Sequence, residues 1–437
     1  MEVIIIGAGL AGSEAALQLA KRNIKVKLYE MRPNIQTGAH VTGDCAEFVC
    51  SNSMGSLIET NASGLLKAEM KEMKSELIDI AYQNSVPAGN ALAIDRVGFS
   101  HAVTEKIENN TNITFVREEL TKIPDNVPVI VASGPLTSNK LAESIKNFTQ
   151  TEHLHFFDAV APIVEKDSIN FDIAFWADRY DKGEATYINC PMNKEQYERF
   201  YNILINAERI ELKDFEKNAK FFESCLPIEV LASRDIDALR FGPLKPVGLV
   251  DKRTETINHA VVQLRQDDAK KTLFNIVGFQ TNLKWSYQKE LINSIPGLEN
   301  ANIVRYGVMH RNTFINSPNI LKATLNTRKR ENLFFAGQIT GVEGYTESMA
   351  TGMLAGINMA RYLQNKPLLQ LPTTTMLGAL CNYISSSELK HFQPMNSNWA
   401  IVDYIDLPKN ERKNKKLKNE KLSKRAINDL RQLLCSI

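Results

Sequence analysis

Two cysteines in this 437-residue chain sit where thiol chemistry is feasible. Cys50 lies within Ala46-Glu47-Phe48-Val49-Cys50-Ser51-Asn52-Ser53, among small hydrogen-bonding residues that suit a partly exposed, tunable thiol. Cys225 lies within Phe221-Phe222-Glu223-Ser224-Cys225-Leu226-Pro227-Ile228-Glu229. Glu223 and Glu229 would raise its pKa if close, and a basic partner such as Arg234 would lower it. Spacing alone does not join the two thiols, since 174 residues separate them. A packed core thiol is the default for any single cysteine, and Cys45, Cys190, Cys381 and Cys435 carry nothing that argues otherwise. The six form no C-x-x-C pair and have no histidine cluster beside them, so no metal site and no thioredoxin-type chemistry is expected. In a reducing cytoplasm all six should be free thiols.

The glycines point to a second chemistry. Gly7-x-Gly9-x-x-Gly12 follows an apolar strand-like run, Val3 to Ile6, and precedes a small-residue helix over Ser13 to Arg22. In that setting Gly7 permits a tight turn, Gly9 lets the backbone approach a pyrophosphate, and Gly12 lets helix and strand pack closely. The helix N-terminus offers free N–H groups and partial positive charge to phosphates. Lys25 to Glu30 reads as the next strand, and Glu30 is placed to accept from ribose hydroxyls. Two later segments favour FAD over NAD. Val127 to Ala132 is an apolar strand ending in Ser133-Gly134-Pro135, like the second signature of two-dinucleotide flavoproteins. Leu333 to Ala336 leads into Gly337-Gln338-Ile339-Thr340-Gly341 and then a helix over Met349 to Tyr362, like their C-terminal signature.

These elements define the fold class: α/β, a Rossmann-like FAD-binding domain of the two-dinucleotide type, with parallel strands joined by right-handed crossovers. Residues 40–64 read as a functional loop, Leu65 to Tyr82 as a helix, and Lys194 to Arg209 as a charged helix. The texture changes between 186 and 300, where prolines punctuate the chain at Pro227, Pro243 and Pro246. The expected division is therefore residues 1–185 and 301–437 for the FAD-binding domain, with an inserted smaller α/β domain at 186–300 and a basic helical C-terminus.

Apolar residues at 43% and charged residues at 23% fit an ordinary folded protein with a real core, and exclude disorder as the main state. No apolar run approaches the ~20 residues of a membrane span. The N-terminus shows neither a basic region nor cleavage-type small residues, so no signal peptide is expected and a cytoplasmic location is. The run from Lys409 to Arg425 carries seven Lys, two Arg and two Glu, a local charge of +7 against +2 for the whole chain, which leaves −5 elsewhere. A basic tail on an acidic body suits an anionic partner such as nucleic acid, or simply a solvated helix face.

Several segments then resemble one family, the folate- and FAD-dependent tRNA uracil-5 methyltransferases (TrmFO) of the GidA-like flavoprotein superfamily. They are GAGLAGSEAA from Gly7, YEMRP at Tyr29 to Pro33, EFVCSNS around Cys50, AGNALAIDR at Ala88 to Arg96 and GPLTS at Gly134 to Ser138. FFDAVAPIV at Phe156 to Val164, ESCLPIEVLASR at Glu223 to Arg234, LRFGPLKPVGL at Leu239 to Leu249 and NIVGFQTNLKW at Asn275 to Trp285 continue the series, which closes with AGQITGVEGYTESMATGMLAGINMAR at Ala336 to Arg361. The resemblance implies FAD held by Gly7, Ala8, Gly9, Leu10, Ala11 and Gly12, with Glu30 on the ribose. It adds Arg32, Gly337, Gln338 and Gly344 to the cofactor-binding residues. It implies NAD(P)H and 5,10-methylenetetrahydrofolate as co-substrates and the T-arm of tRNA as partner, with uridine 54 methylated at C5. The family's two catalytic cysteines map onto Cys50 and Cys225, one adding to uracil C6 and the other assisting C5 deprotonation; either assignment is open. Thiolate addition makes C5 nucleophilic, the usual gain from covalent catalysis.

The chain departs from the family pattern at Met54-Gly55-Ser56, where a basic residue is expected near 55, and at Asn23, Thr346 and Met349. Lys245, Arg265, Arg311, Arg328, Lys329, Arg330 and the 409–425 run are candidate phosphate contacts. The alternatives are the same chemistry on ribosomal RNA, a wobble-uridine-modifying flavoenzyme (a longer chain with an extra helical domain), a small-molecule NAD(P)H flavin oxidoreductase, and a flavin-containing RNA-binding factor.

Overall fold

The computed structural model describes residues 2–151, 154–159, 161–181, 184–210, 226–254, 258–389, 392–408, 411 and 414–436. Its central element is a five-stranded, all-parallel sheet in the order Leu333–Phe335, Val129–Val131, Glu2–Ile6, Lys25–Tyr29, Ile113–Val116. Such sheets are covered on both faces, which is why the strands read as short apolar runs rather than alternating ones. Val3, Ile5, Val129, Ile130, Val131, Phe334 and Phe335 are all fully buried. The chain starts in the middle strand, moves one way to 25–29, and later returns to the other side at 129–131. That reversal opens a crevice beyond the carboxyl ends of strands 2–6 and 129–131, where ligands of such sheets bind. The Rossmann-like layout expected from the glycine segments is therefore present.

Every residue of the first helix, Leu10–Ala20, is buried. It crosses the Tyr345–Leu363 helix at very short range: a Cβ on Gly352 would lie 2.2 Å from the Ala11 carbonyl oxygen, and one on Gly356 would lie 2.8 Å from that of Ala15. Small residues on both helices thus bring the N-termini of two helices to the same end of the sheet. The latter helix starts at Tyr345, four residues before the expected Met349. The expected 65–82 helix is two helices, Ala62–Glu72 and Glu76–Gln83. The break has a tertiary cause. The buried Glu14 carboxylate accepts from Ser75 Oγ (2.9 Å) and from the N–H groups of Glu76 (3.1 Å) and Leu77 (2.8 Å), capping the second helix from outside.

A second sheet has six strands in the order 175–176, 187–192, 260–266, 273–276, 163–165, 303–305, with antiparallel pairing throughout. Its strands come from both sides of the 186–300 segment. The helices Lys194–Asn206 and Trp285–Asn293 bury Tyr197, Phe200, Leu204, Leu291 and Ile292 in one core with Val262, Leu264, Phe274 and Ile276. The chain passes between the two sheets through a two-stranded antiparallel ribbon, Leu154–Ala159 with Met309–Phe314. A small sheet formed by Ser53–Ser56, Ala91–Ile94 and Ser85–Val86 follows the Cys50 loop. The C-terminal helix, Lys415–Cys435, buries Leu422, Ala426 and Leu430, and Ser423 Oγ donates to the Glu59 carbonyl beside the Ala62–Glu72 helix. Among the described residues, no helix is long and apolar enough to cross a membrane.

Candidate active site

A cleft with about 740 Å³ of open space lies at the reversal point of the parallel sheet. Gly7, Gly9, Leu10, Ala11, Glu30, Arg32, Gly337 and Gln338 line it, together with the 132–136 turn. The three expected glycine segments therefore share one cavity, and each of the first three glycines answers to a different physical need. Gly7 has φ +98°, and a Cβ there would lie 2.6 Å from the Ala132 carbonyl oxygen. A Cβ on Gly12 would fall 1.8 Å from the Gly7 carbonyl oxygen, so the turn closes only without one. Gly9 has nothing within 4 Å of where its Cβ would be, so its side is open to an approaching ligand. No side chain caps this helix and no acidic residue lies in its first turn. Its N–H groups and dipole thus face the cleft with no acid of the helix's own in the way, only the preceding Ala8 N–H being taken, by Glu30, and such a helix start binds phosphate.

Glu30 is 6% exposed and accepts from the Ala8 N–H at 2.9 Å, the Arg32 N–H at 3.1 Å and Arg32 Nε at 3.0 Å. Burial alone would push its carboxyl up, but the Arg32 guanidinium and these N–H bonds hold it below the usual carboxylate range. An ionised acceptor at this strand end suits ribose hydroxyls. Arg32 is itself spent on the protein: besides Glu30, its Nη1 meets Glu47 at 3.0 Å and its Nη2 meets the Asp44 carbonyl at 3.1 Å. It thereby ties the loop carrying Cys50 to the end of the Lys25–Tyr29 strand. Across the cleft, Gly337 has φ +79° and packs against Ala11, Gln338 Nε2 donates to Glu343, and Gly344, with φ +120°, starts the Tyr345–Leu363 helix outside the cleft lining.

Cys50 is half-buried and next to Val49 of the cleft wall. Its N–H donates to Tyr345 Oη at 2.8 Å, and the Ser51 N–H donates to the same oxygen at 3.2 Å. The Tyr345 ring packs on Phe48 with centroids 4.2 Å apart. Behind the loop, the second sheet docks through charged and polar groups. Arg96 Nε and Nη2 reach Asp267 Oδ1 at 3.1 and 2.9 Å, and Arg96 Nη1 donates to the Phe48 carbonyl at 3.3 Å. Asn52, fully buried, donates to the carbonyls of Ile94 and Gln266 and accepts from Arg265 Nε at 2.9 Å. Cys225 lies outside the described residues, so its distance from Cys50 is not part of this geometry.

Tyr345, Arg96 and Asp267 were not singled out in the sequence. Arg96 follows an apolar strand in a recognisable segment, and Tyr345 lies in another, directly after Gly344, but neither segment shows that they meet the Cys50 loop. Lys67 was also missed: 1% exposed, it donates to the Met54 carbonyl at 2.6 Å, and burial lowers its pKa to about 8. Position 55, where a cation was expected, has φ +76°, and a Cβ there would lie 2.9 Å from Ser63 Oγ, which favours glycine. Asn23 takes φ +57°, the left-handed conformation that asparagine tolerates. Thr346 and Met349 are buried. Two of the candidate phosphate contacts are corrected. Arg265 is bound to Asn52, and Arg330 donates to the carbonyls of Pro124 and Val127 and to Asn332, so both are spent inside the fold. The side chain of Arg311 and residues 409, 410, 412 and 413 lie outside the described residues. Among the described residues no group of acidic, histidine or cysteine side chains is placed to hold a metal ion.

Residues 2–367 match the family described as Glucose inhibited division protein A. The Methylenetetrahydrofolate--tRNA-(uracil-5-)-methyltransferase TrmFO of Anoxybacillus flavithermus is 57% identical over 434 residues, 99% of each chain. The chain belongs to the TrmFO family. The enzyme of the same name from Brevibacillus brevis is 55% identical over 98% of this chain and 97% of its own. The GidA match stops at residue 367, whereas the TrmFO relatives also span the C-terminal helices. The solved structure of Aquifex aeolicus GidA covers 99% of this chain and 73% of its own with a TM-score of 0.68 at 18% identity, a likeness of fold.

Proposed function

We propose that this chain methylates uracil C5 in tRNA, taking the carbon from methylenetetrahydrofolate and the electrons from NAD(P)H through FAD. The observation that carries the reading is end-to-end identity of 57% with a relative bearing that name. The target within tRNA is the T-loop uridine 54, reached through the T-arm, and the enzyme works in the cytoplasm.

The residues of the cleft fit FAD. Gly9 and the uncapped helix start at Leu10 and Ala11 would hold the pyrophosphate, and ionised Glu30 the ribose. Gly337 and Gln338 would lie beside the flavin, in reach of the Cys50 loop through Val49 and Tyr345. When bound, FAD supplies the electrons that turn a one-carbon methylene into a methyl group.

The protein's part is to make C5 of uracil react. One cysteine thiolate adds to C6, so the electron pair moves to C5 and C5 attacks the one-carbon unit, whose bonds to the folate nitrogens break as two electrons originating from NAD(P)H reduce it to methyl and tetrahydrofolate leaves. The other cysteine assists removal of the C5 proton, and elimination restores the C5–C6 double bond and frees the first cysteine. General-base help of this kind is typically worth ~10²–10⁴-fold. Cys50 and Cys225 are the two thiols. Cys50→Ala and Cys225→Ala should each retain FAD and lose methyl transfer. Wild-type methylation by either variant would remove that cysteine from the mechanism.

A further inference from the structure

We infer that Tyr345 is the positioning residue for Cys50, fixing its backbone and favouring the thiolate form of its sulfur. The inference rests on Cys50 being one of the two reacting thiols.

Hydroxyl bookkeeping leads there. A phenol oxygen can accept two hydrogen bonds and donate one. The Tyr345 oxygen accepts from the N–H groups of Cys50 (2.8 Å) and Ser51 (3.2 Å). With both acceptor places filled, the proton is left for an outward bond, and the Cys50 side chain is its partner. Two N–H donors on the oxygen also polarise the O–H and make it a stronger donor. Hydrogen bonds to an ionised partner are roughly twice as strong as those to a neutral one. The contact therefore favours sulfur as thiolate over thiol. Burial and the neighbouring sulfur push the Tyr345 hydroxyl well above its ordinary pKa, so it keeps its proton.

The ring is fixed independently of the hydroxyl. Tyr345 starts the long helix that crosses the first helix, and its ring packs at a 60° tilt against Phe48, two residues before Cys50. One residue thus joins the cleft wall, the helix after Gly344 and the thiol loop. The charged groups about this loop are Arg96, Asp267, Arg305 and Glu47, with His40 on the cleft wall. Tyr345→Phe leaves all of them in place, along with the Phe48 contact, and deletes only the hydroxyl.

The test reads the thiol itself. The FAD-loaded enzyme is alkylated with iodoacetamide across a pH series, and labelling of Cys50 is followed by peptide mass spectrometry. Tyr345→Phe should raise the midpoint of the Cys50 profile by about one to two pH units and slow labelling near neutral pH by roughly ten- to a hundredfold. Site-specific 3-fluorotyrosine at 345, a more acidic donor, should move the midpoint the other way. A purely structural tyrosine predicts no graded shift of opposite sign. Superimposable profiles for wild type, Tyr345→Phe and the fluorinated protein would overturn the inference. Because the readout is thiol reactivity, it fails separately from the assignment of Cys50 to methyl transfer, which Cys50→Ala tests by activity.

Discussion

Asp267→Asn tests what holds the second sheet against the thiol loop. Arg96 is 8% exposed and Asp267 5%, and two guanidinium nitrogens meet one carboxylate oxygen at 2.9 and 3.1 Å. Asparagine keeps an oxygen where Oδ1 was but removes the charge, leaving Arg96 a buried cation with no counter-ion. Removing one partner of a buried pair costs ~3–5 kcal/mol, mostly the penalty of the stranded charge. Arg96→Met strands Asp267 and also frees the Phe48 carbonyl, so its cost should be at least as large. The double variant Arg96→Met/Asp267→Leu strands no charge and should be more stable than either single variant. Urea unfolding checks this, with far-ultraviolet circular dichroism for the whole chain and tryptophan fluorescence at Trp176 and Trp285 for the second sheet and its helix. Additive losses in the double variant would refute the reasoning, since two charges that do not interact leave nothing to rescue.

The glycine cleft makes a paired prediction. Gly9→Ala should leave stability within about 0.5 kcal/mol, because nothing stands within 4 Å, yet weaken FAD retention in equilibrium dialysis by filling the ligand's space. Gly12→Ala should cost both, since its Cβ falls 1.8 Å from the Gly7 carbonyl and overpacking of that kind costs ~1–3 kcal/mol. Burial raises Glu69 to about 7 from an ordinary 4.5, so the folded state holds an extra proton between those values and stability falls as pH rises across that window. Glu69's share should be roughly 2.5 kcal/mol between pH 5 and pH 8, as read by urea unfolding, and the pH dependence should shrink by about that amount in Glu69→Gln. Lys415, Lys416 and Lys424 are exposed, whereas Lys421 pairs with Glu411 and Arg425 is bound to the carbonyls of Asp403 and Tyr404. Replacing the three exposed lysines by glutamine should weaken tRNA binding and flatten its log–log salt slope by up to about 2–3; an unchanged slope would make the tail a solvated face.

The readable parts of this chain were those whose cause is local. Gly7, Gly9 and Gly12 each answer to a turn, an open approach or a close packing within a few residues, so strand, turn and helix could be placed together. Helix limits were less legible where a distant group sets them. Glu14, 61 residues away from Ser75, breaks the 62–83 stretch into two helices, and Gly344 with φ +120° starts the Tyr345–Leu363 helix earlier than its apolar pattern does. The thiol site divides the same way. Cys50 stood out by its neighbours, but Tyr345 is 295 residues away and is brought to it by helix crossing alone. Arg265 read as a surface cation because nothing in the sequence reports that Asn52, 213 residues away, waits for it.

The most direct test of the central claim is methyl transfer by the purified FAD-loaded chain. The mixture contains NAD(P)H, isotope-labelled methylenetetrahydrofolate and tRNA lacking the T-loop methyl group, and nucleosides are read by mass spectrometry. The account predicts labelled 5-methyluridine mapping to position 54, with none formed by Cys50→Ala. Unlabelled tRNA from an enzyme whose flavin is bound and reduced by NAD(P)H would contradict it.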